Sequence, residues 1–236
     1  MMRLAILGLC SCLLAWPAGA TPPRLTTSDD RMMAATQTHL YVLRDVVDNL
    51  GSYYSALQDQ HLVEINIETG EATRFWVLRR ISVNGLPEND FLNPGVVIER
   101  DGDVHDMMAL LQELGAQPIT PGPWALRDLS LVDGALVKED KTVLTPFGIR
   151  AAGRAQLAIL REAYPPIETE EEFMRGERID FYDLYAEGDW ICELMPEGQT
   201  FFRPEEERIT AAKLRCEDDV GGWWSFHVLI SDNDET

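Results

Sequence analysis

Two cysteines are the residues whose type and spacing most directly commit the chain to a chemistry. Cys192 and Cys216 are the pair left once Cys10 and Cys12, which lie in the apolar run near Met1, are set aside. Neither belongs to a Cys-x-x-Cys unit, so the pair is predicted to form a disulfide rather than half of a metal site completed by His227. Closing a loop of this size constrains the unfolded chain by roughly 3 kcal/mol.

The four histidines are His39, His61, His105 and His227. None is spaced from another as in the His-x-x-x-His of helical zinc enzymes, so a metal site would have to be assembled by the fold. His39 and His61 are read as solvated or hydrogen-bonded residues at strand starts. His227 alternates with the apolar positions of its own strand and is placed toward solvent or a groove shared with Trp223 and Ser225.

The densest polar run is Asp101-Gly102-Asp103-Val104-His105-Asp106. Clustered oxygens suit a hard cation, but the distal bidentate glutamate of a calcium loop is absent. A turn followed by an acidic helix start accounts for all three aspartates, and that reading is adopted. There is no Gly-x-Ser-x-Gly elbow and no phosphate-cradling glycine loop. No catalytic residue, metal or cofactor is assigned. Aromatic residues concentrate near the C-terminus, and a strand cannot turn both members of Trp223-Trp224 to one face. Trp223, Trp224 and His227 are therefore the candidate binding surface, suited to an unidentified protein or glycan partner.

The opening residues predict where this chemistry takes place. Arg3, an apolar run from Leu4 to Trp16, and the small residues Ala18-Gly19-Ala20 have the layout of a signal peptide over 1–20, cleaved before Thr21. A periplasmic or extracellular location follows, where paired thiols oxidise. The net charge of −20 becomes one unit more negative without Arg3, which disfavours nucleic acid and anionic lipid. Outside the leader the longest nearly uncharged apolar stretch, Trp223 to Ile230, is too short for a membrane helix.

The elements that must position these residues give an α+β fold, rich in strands. A flexible N-terminal segment over 21–38 precedes a hairpin-and-helix portion over 39–120. Residues 121–231 hold the central helix and the C-terminal antiparallel sheet, either as a second portion or as part of one domain with 39–120, and 232–236 form an acidic tail. Val63, Ile65 and Ile67 alternate with Glu64, Asn66 and Glu68, and Thr73, Phe75 and Val77 continue beyond the Thr69-Gly70 turn. Residues 61–79 therefore read as a hairpin. Asp103 is expected to cap a helix that ends at Gly115, with Asp106 as its reciprocal partner. Leu129–Val132 and Ala135–Lys138 flank an Asp133-Gly134 turn.

Thr145-Pro146 opens the longest helix, which is expected to run to Ala163 with small residues for close packing. A short helix begins at Thr169. Strands over Ile179–Tyr185, Trp190–Met195, Thr200–Arg203, Ile209–Cys216 and Trp223–Ile230 are predicted to form an antiparallel meander closed by the disulfide. On this reading the chain is an exported acidic protein, a non-enzymatic binding or interaction module; an inhibitor presenting loops on a compact disulfide-closed sheet is one version. The alternative is a secreted hydrolase whose site joins His227 or His105 to nearby carboxylates.

Overall fold

A computed structural model describes residues 22–52, 55–84, 96–104, 106–119, 129–165, 167–175, 178–179, 190–196, 199–202, 208–219 and 221–231. The proposed leader, the acidic tail, His105 and nearly all of the expected Ile179–Tyr185 strand lie outside those residues. In chain order the described elements are β1 (Thr26–Ala35), β2 (His39–Asp48), β3 (Ser55–Asn66), β4 (Ala72–Asn84) and β5 (Val96–Asp101). Then come α1 (Met107–Glu113), β6 (Gln117–Pro118), β7 (Leu129–Val132), β8 (Ala135–Lys138), β9 (Lys141–Leu144), α2 (Pro146–Leu157) and α3 (Leu160–Ala163). Last are α4 (Glu170–Arg175), β10 (Ile191–Leu194), β11 (Gln199–Phe202), β12 (Arg208–Glu217) and β13 (Trp223–Ser231).

The protein is β-rich, with few helices and one large mixed sheet. That sheet runs β10-β12-β13-β1-β2-β3-β4-β5, with β11 beside β12 and β6 beside β1; β7, β8 and β9 form a separate small sheet. The C-terminal strands are not a self-contained meander. Strand β12 pairs with β10, β11 and β13, all antiparallel, and β13 then joins β1 in the parallel sense. The expected hairpin around Gly70 is present, longer than its alternation implied, because β3 and β4 continue into polar sequence on either side.

Strand β1 corrects the reading of its residues as part of a flexible segment. Its alternation is real but is carried by polar side chains: Thr26, Ser28 and Asp30 are buried in phase with Met32 and Ala34. An apolar pattern search finds no period there, although the backbone keeps the two-residue repeat of a strand. The cap of α1 also differs. Asp106, not Asp103, is the N-cap, its Oδ1 accepting from Ala109 N at 3.0 Å. Gly102 and Asp103 instead donate backbone N–H to Leu78 and Val77 carbonyls, which ties the acidic turn to β4.

Thr145 caps α2 with Oγ1 accepting from Gly148 N, and Pro146 occupies the first turn as expected. The helix stops at Leu157, and α3 follows as a separate turn. Gly153 sets how closely α2 lies on the sheet: a Cβ there would meet Phe226 Cε1 at 2.9 Å and Trp224 Nε1 at 3.1 Å. The main core forms under this helix from Ile149, Leu157, Leu160, Leu214, Trp224 and Phe226. Trp190 packs edge-on against Trp224, with ring centroids 4.0 Å apart. Cys192 and Cys216 face each other directly in the β10–β12 register and are joined, with 4.0 Å between Cα atoms. Among the described residues no helix is long and apolar enough to cross a membrane.

Candidate functional site: a sealed polar seam and an exposed apolar tip

The parallel pairing of β13 with β1 lasts two residues on each strand, Thr27 with Trp223 and Ser28 with Trp224. Beyond it the ladder is taken over by side chains. Ser225 Oγ accepts from Asp30 N at 2.9 Å, and Gln156 of α2 donates Nε2 to the His227 carbonyl at 2.8 Å. Backbone groups that would otherwise be buried without partners are thereby satisfied. On the face toward α2, Arg44 donates Nε and Nη2 to the two Asp30 carboxylate oxygens, both at 2.6 Å, and Nη1 to the Gln156 carbonyl at 2.8 Å. Both members of this ion pair are fully buried. Burial pushes the Asp30 carboxyl up, and the doubly bonded guanidinium pulls it back.

Arg44 stands opposite His61 in the β2–β3 register, and the polar chain continues there. His61 Nε2 lies 2.8 Å from the Tyr164 hydroxyl, which donates to Asp59. Arg80 Nε reaches the same carboxylate at 3.3 Å. His61 is 0% exposed, and burial, aided by the Arg44 and Arg80 cations, holds its imidazole down at about 3. Burial raises Asp59 against the pull of Tyr164 and Arg80, and burial together with Asp59 raises the Tyr164 hydroxyl.

The opposite face of the seam carries a second cluster. Ser225 Oγ donates to Asp29 Oδ1 at 2.5 Å, and Lys213 Nζ is 2.8 Å from the same oxygen. Burial pushes Asp29 up, but the bonds from Lys213 and Ser225 outweigh it and leave the carboxyl below the usual range. His227 stands opposite Lys213 in the β12–β13 register. It is 2% exposed, and burial, with Lys213 adding, lowers it to about 3.

These placements change the sequence-based assignments. His61 lies mid-strand, hydrogen-bonded as expected, yet sealed. His227 points neither to solvent nor to a groove, and Trp224 is a core side chain at 0% exposure. Of the candidate surface only Trp223 is partly exposed, with the Arg215 guanidinium 4.4 Å from its ring centroid. The disulfide partners sit as predicted. Among the described residues no group of three or more His, Cys, Asp or Glu side chains could hold a metal ion.

Sequence reasoning missed Asp30, Arg44, Asp59 and Tyr164. A signal existed for one of them: Arg44 lies between Val42 and Val46 on the buried phase of β2.

The exposed apolar residues lie elsewhere. Phe147, in the first turn of α2, is 72% exposed, and Val132, at the end of β7, is 52% exposed. They are brought to one tip because the Gly134 turn packs on Pro146, where a Cβ on the glycine would lie 3.5 Å from Pro146 Cγ. Gly134 has φ +76°, which a side chain would strain. A mostly apolar cavity of about 580 Å³, lined by Met33, Met108, Leu111, Gln112 and Ala116 among others, opens beside the contact of α1 with β1. Compared with protein-family models, curated proteins and solved structures, the chain matches none.

Proposed function

We propose that the protein is an exported, non-enzymatic binding module that engages a protein partner through the tip formed by Val132 and Phe147. The observation that carries this reading is the exposure of Phe147 at a helix start, held out by a capped Thr145-Pro146 turn rather than folded into the core. Large apolar side chains clustered on a rigid surface favour partner contact, because burying them releases water at little cost in ordering. A protein partner fits better than a glycan, since the exposed residue that shares the tip with Phe147 is the aliphatic Val132. The hydrolase alternative draws less support at His227, which is closed off from solvent, so a substrate would have no approach to it without movement of the strands around it; His105 lies outside the described residues.

Export is part of the same proposal and rests on the leader pattern and on a disulfide suited to an oxidising compartment. The test captures partners from that compartment with the native protein and with Phe147→Ser, a surface change expected to leave folding intact. Loss of a specific, saturable partner in the variant supports the reading. Retention of every captured partner by Phe147→Ser, or a mature protein still beginning at Met1, overturns it.

A further inference from the structure

Strands β10, β12 and β13 turn Cys192, Cys216, Leu214 and Trp224 into the main core, so the alternate residues of each strand face the other way. The register sets those residues in two rows: Ile191, Glu217 and Trp223 in one, and Glu193, Arg215 and Ser225 in the next. Ile191 is 81% exposed, the most exposed large apolar side chain among the described residues. Trp223 is partly exposed.

Arg215 stands at the centre of this face. Its guanidinium lies 4.4 Å from the Trp223 ring centroid, and its nitrogens are 3.9 Å from Glu193 Oε1 and from Glu217 Oε2. One cation therefore serves an indole and two carboxylates, while both glutamate side chains stay more than half exposed. Ion pairs of that length at a wet surface are weak, so both carboxylates keep charge to offer.

We propose that this face is a docking surface for a protein partner that presents arginine or lysine beside apolar side chains: the partner's cations meet Glu193 and Glu217, and its apolar groups cover Ile191 and Trp223.

Charge complementarity selects that occupant. A chain of net charge −20 attracts basic partners and repels acidic ones, nucleic acid and anionic lipid. The face repeats that bias locally, with two carboxylates to one guanidinium. Tryptophan adds a ring suited to a cation and to apolar contact alike. The face is also held in shape. On the opposite side of the same strands the Cys192–Cys216 bond fixes β10 to β12, which sets Ile191 and Glu193 at a constant spacing from Glu217 and Arg215. Little ordering is then needed on binding. This surface is separate from the Val132 and Phe147 tip and does not depend on it.

The experiment follows the indole N–H of Trp223 by NMR in the full, disulfide-bonded chain, with Trp223→Phe for assignment. The probe is the capped peptide Arg-Ser-Val-Ser-Arg-Ser-Val, whose arginines and valines share one side of an extended chain. Its counterpart with glutamate in place of arginine, and argininamide, are titrated in parallel. The expected result is a saturable shift with the arginine peptide that weakens as salt rises, and none with the glutamate peptide. The double variant Glu193→Gln, Glu217→Gln should bind the arginine peptide about tenfold more weakly, and Phe147→Ser should bind it as the native protein does. No shift at Trp223 overturns the proposal. So does undiminished affinity in the folded double variant, which would reduce binding to general attraction by an acidic chain. Argininamide binding as tightly as the peptide overturns it as well, by making this a site for a small cation, and loss of binding in Phe147→Ser does so by moving the contact to the tip. If the double variant does not fold, Ile191→Ser decides on the same readout: weakened binding supports the surface, and unchanged binding overturns it.

Discussion

The two halves of one sheet face, both lying under the α2–α3 layer, are built on opposite principles. Toward β12 and β13 the face presents Leu214, Trp224 and Phe226 to α2, an apolar contact that excludes water and needs no partners. Toward β1, β2 and β3 it presents Asp30, Arg44, Asp59 and His61, all buried and held by directional bonds. The apolar half tolerates small losses of fit by relaxing around them. The polar half cannot, because removing one partner leaves a charge in a low-dielectric interior. Specificity of docking therefore resides in the polar half, and bulk cohesion in the apolar one.

The strongest challenge to this contrast is Arg44→Ala, which strands the Asp30 carboxylate and should cost about 3–5 kcal/mol in urea denaturation. Replacing both partners together, as in Asp30→Leu with Arg44→Met, should recover most of that loss. A double variant as unstable as the single one would show that the pair contributes shape rather than charge balance. In the apolar half, Phe226→Ala should cost a comparable amount, about 3–5 kcal/mol, but with no rescue from a second substitution.

Removing the disulfide with Cys192→Ser and Cys216→Ser should cost roughly 3 kcal/mol and lower the denaturation midpoint. Unchanged stability would mean that β10 is held by its four residue pairs on β12 alone. Tyr164→Phe removes the hydroxyl shared by His61 and Asp59, for an expected loss of about 1–3 kcal/mol. The smallest effect belongs to Thr145→Ala, about 1 kcal/mol for an N-cap, with no change in the polar seam.

How far the sequence discloses this arrangement follows the same division. The β3–β4 hairpin, the Asp133-Gly134 turn, the start of α2 and the Cys192–Cys216 bond are legible because each depends on local pattern or on a pair with few alternatives. Strand β1 is not, since Thr26, Ser28 and Asp30 are buried where burial is normally marked by apolar side chains. Nor is the polar seam. Asp30, Arg44 and Tyr164 come from three separated stretches, and only Arg44, between Val42 and Val46, carries a local sign of burial. Only the register of β1 on β2, and the fall of α3 over β3, shows that they meet. His227 escapes the pattern for a related reason: alternation assigns its face of β13 to solvent, whereas Lys213 and Asp29 of the neighbouring strands lie on that face, and Trp224 simply keeps the apolar phase of Phe226 and Val228.

The brief parallel contact of β13 with β1 bears on how the protein is made. Thr27 and Ser28 wait for Trp223 and Trp224, nearly two hundred positions later in synthesis. Until those residues emerge, β1 has one neighbour along most of its length and an open edge on the other side. Assembly of the large sheet is therefore a late event, after the hairpins have formed on their own, and this long-range closure should be the slow step of folding. A chain interrupted before Trp223 would keep its early hairpins and expose the very edge that the last strand covers, a ready template for association with other nascent copies.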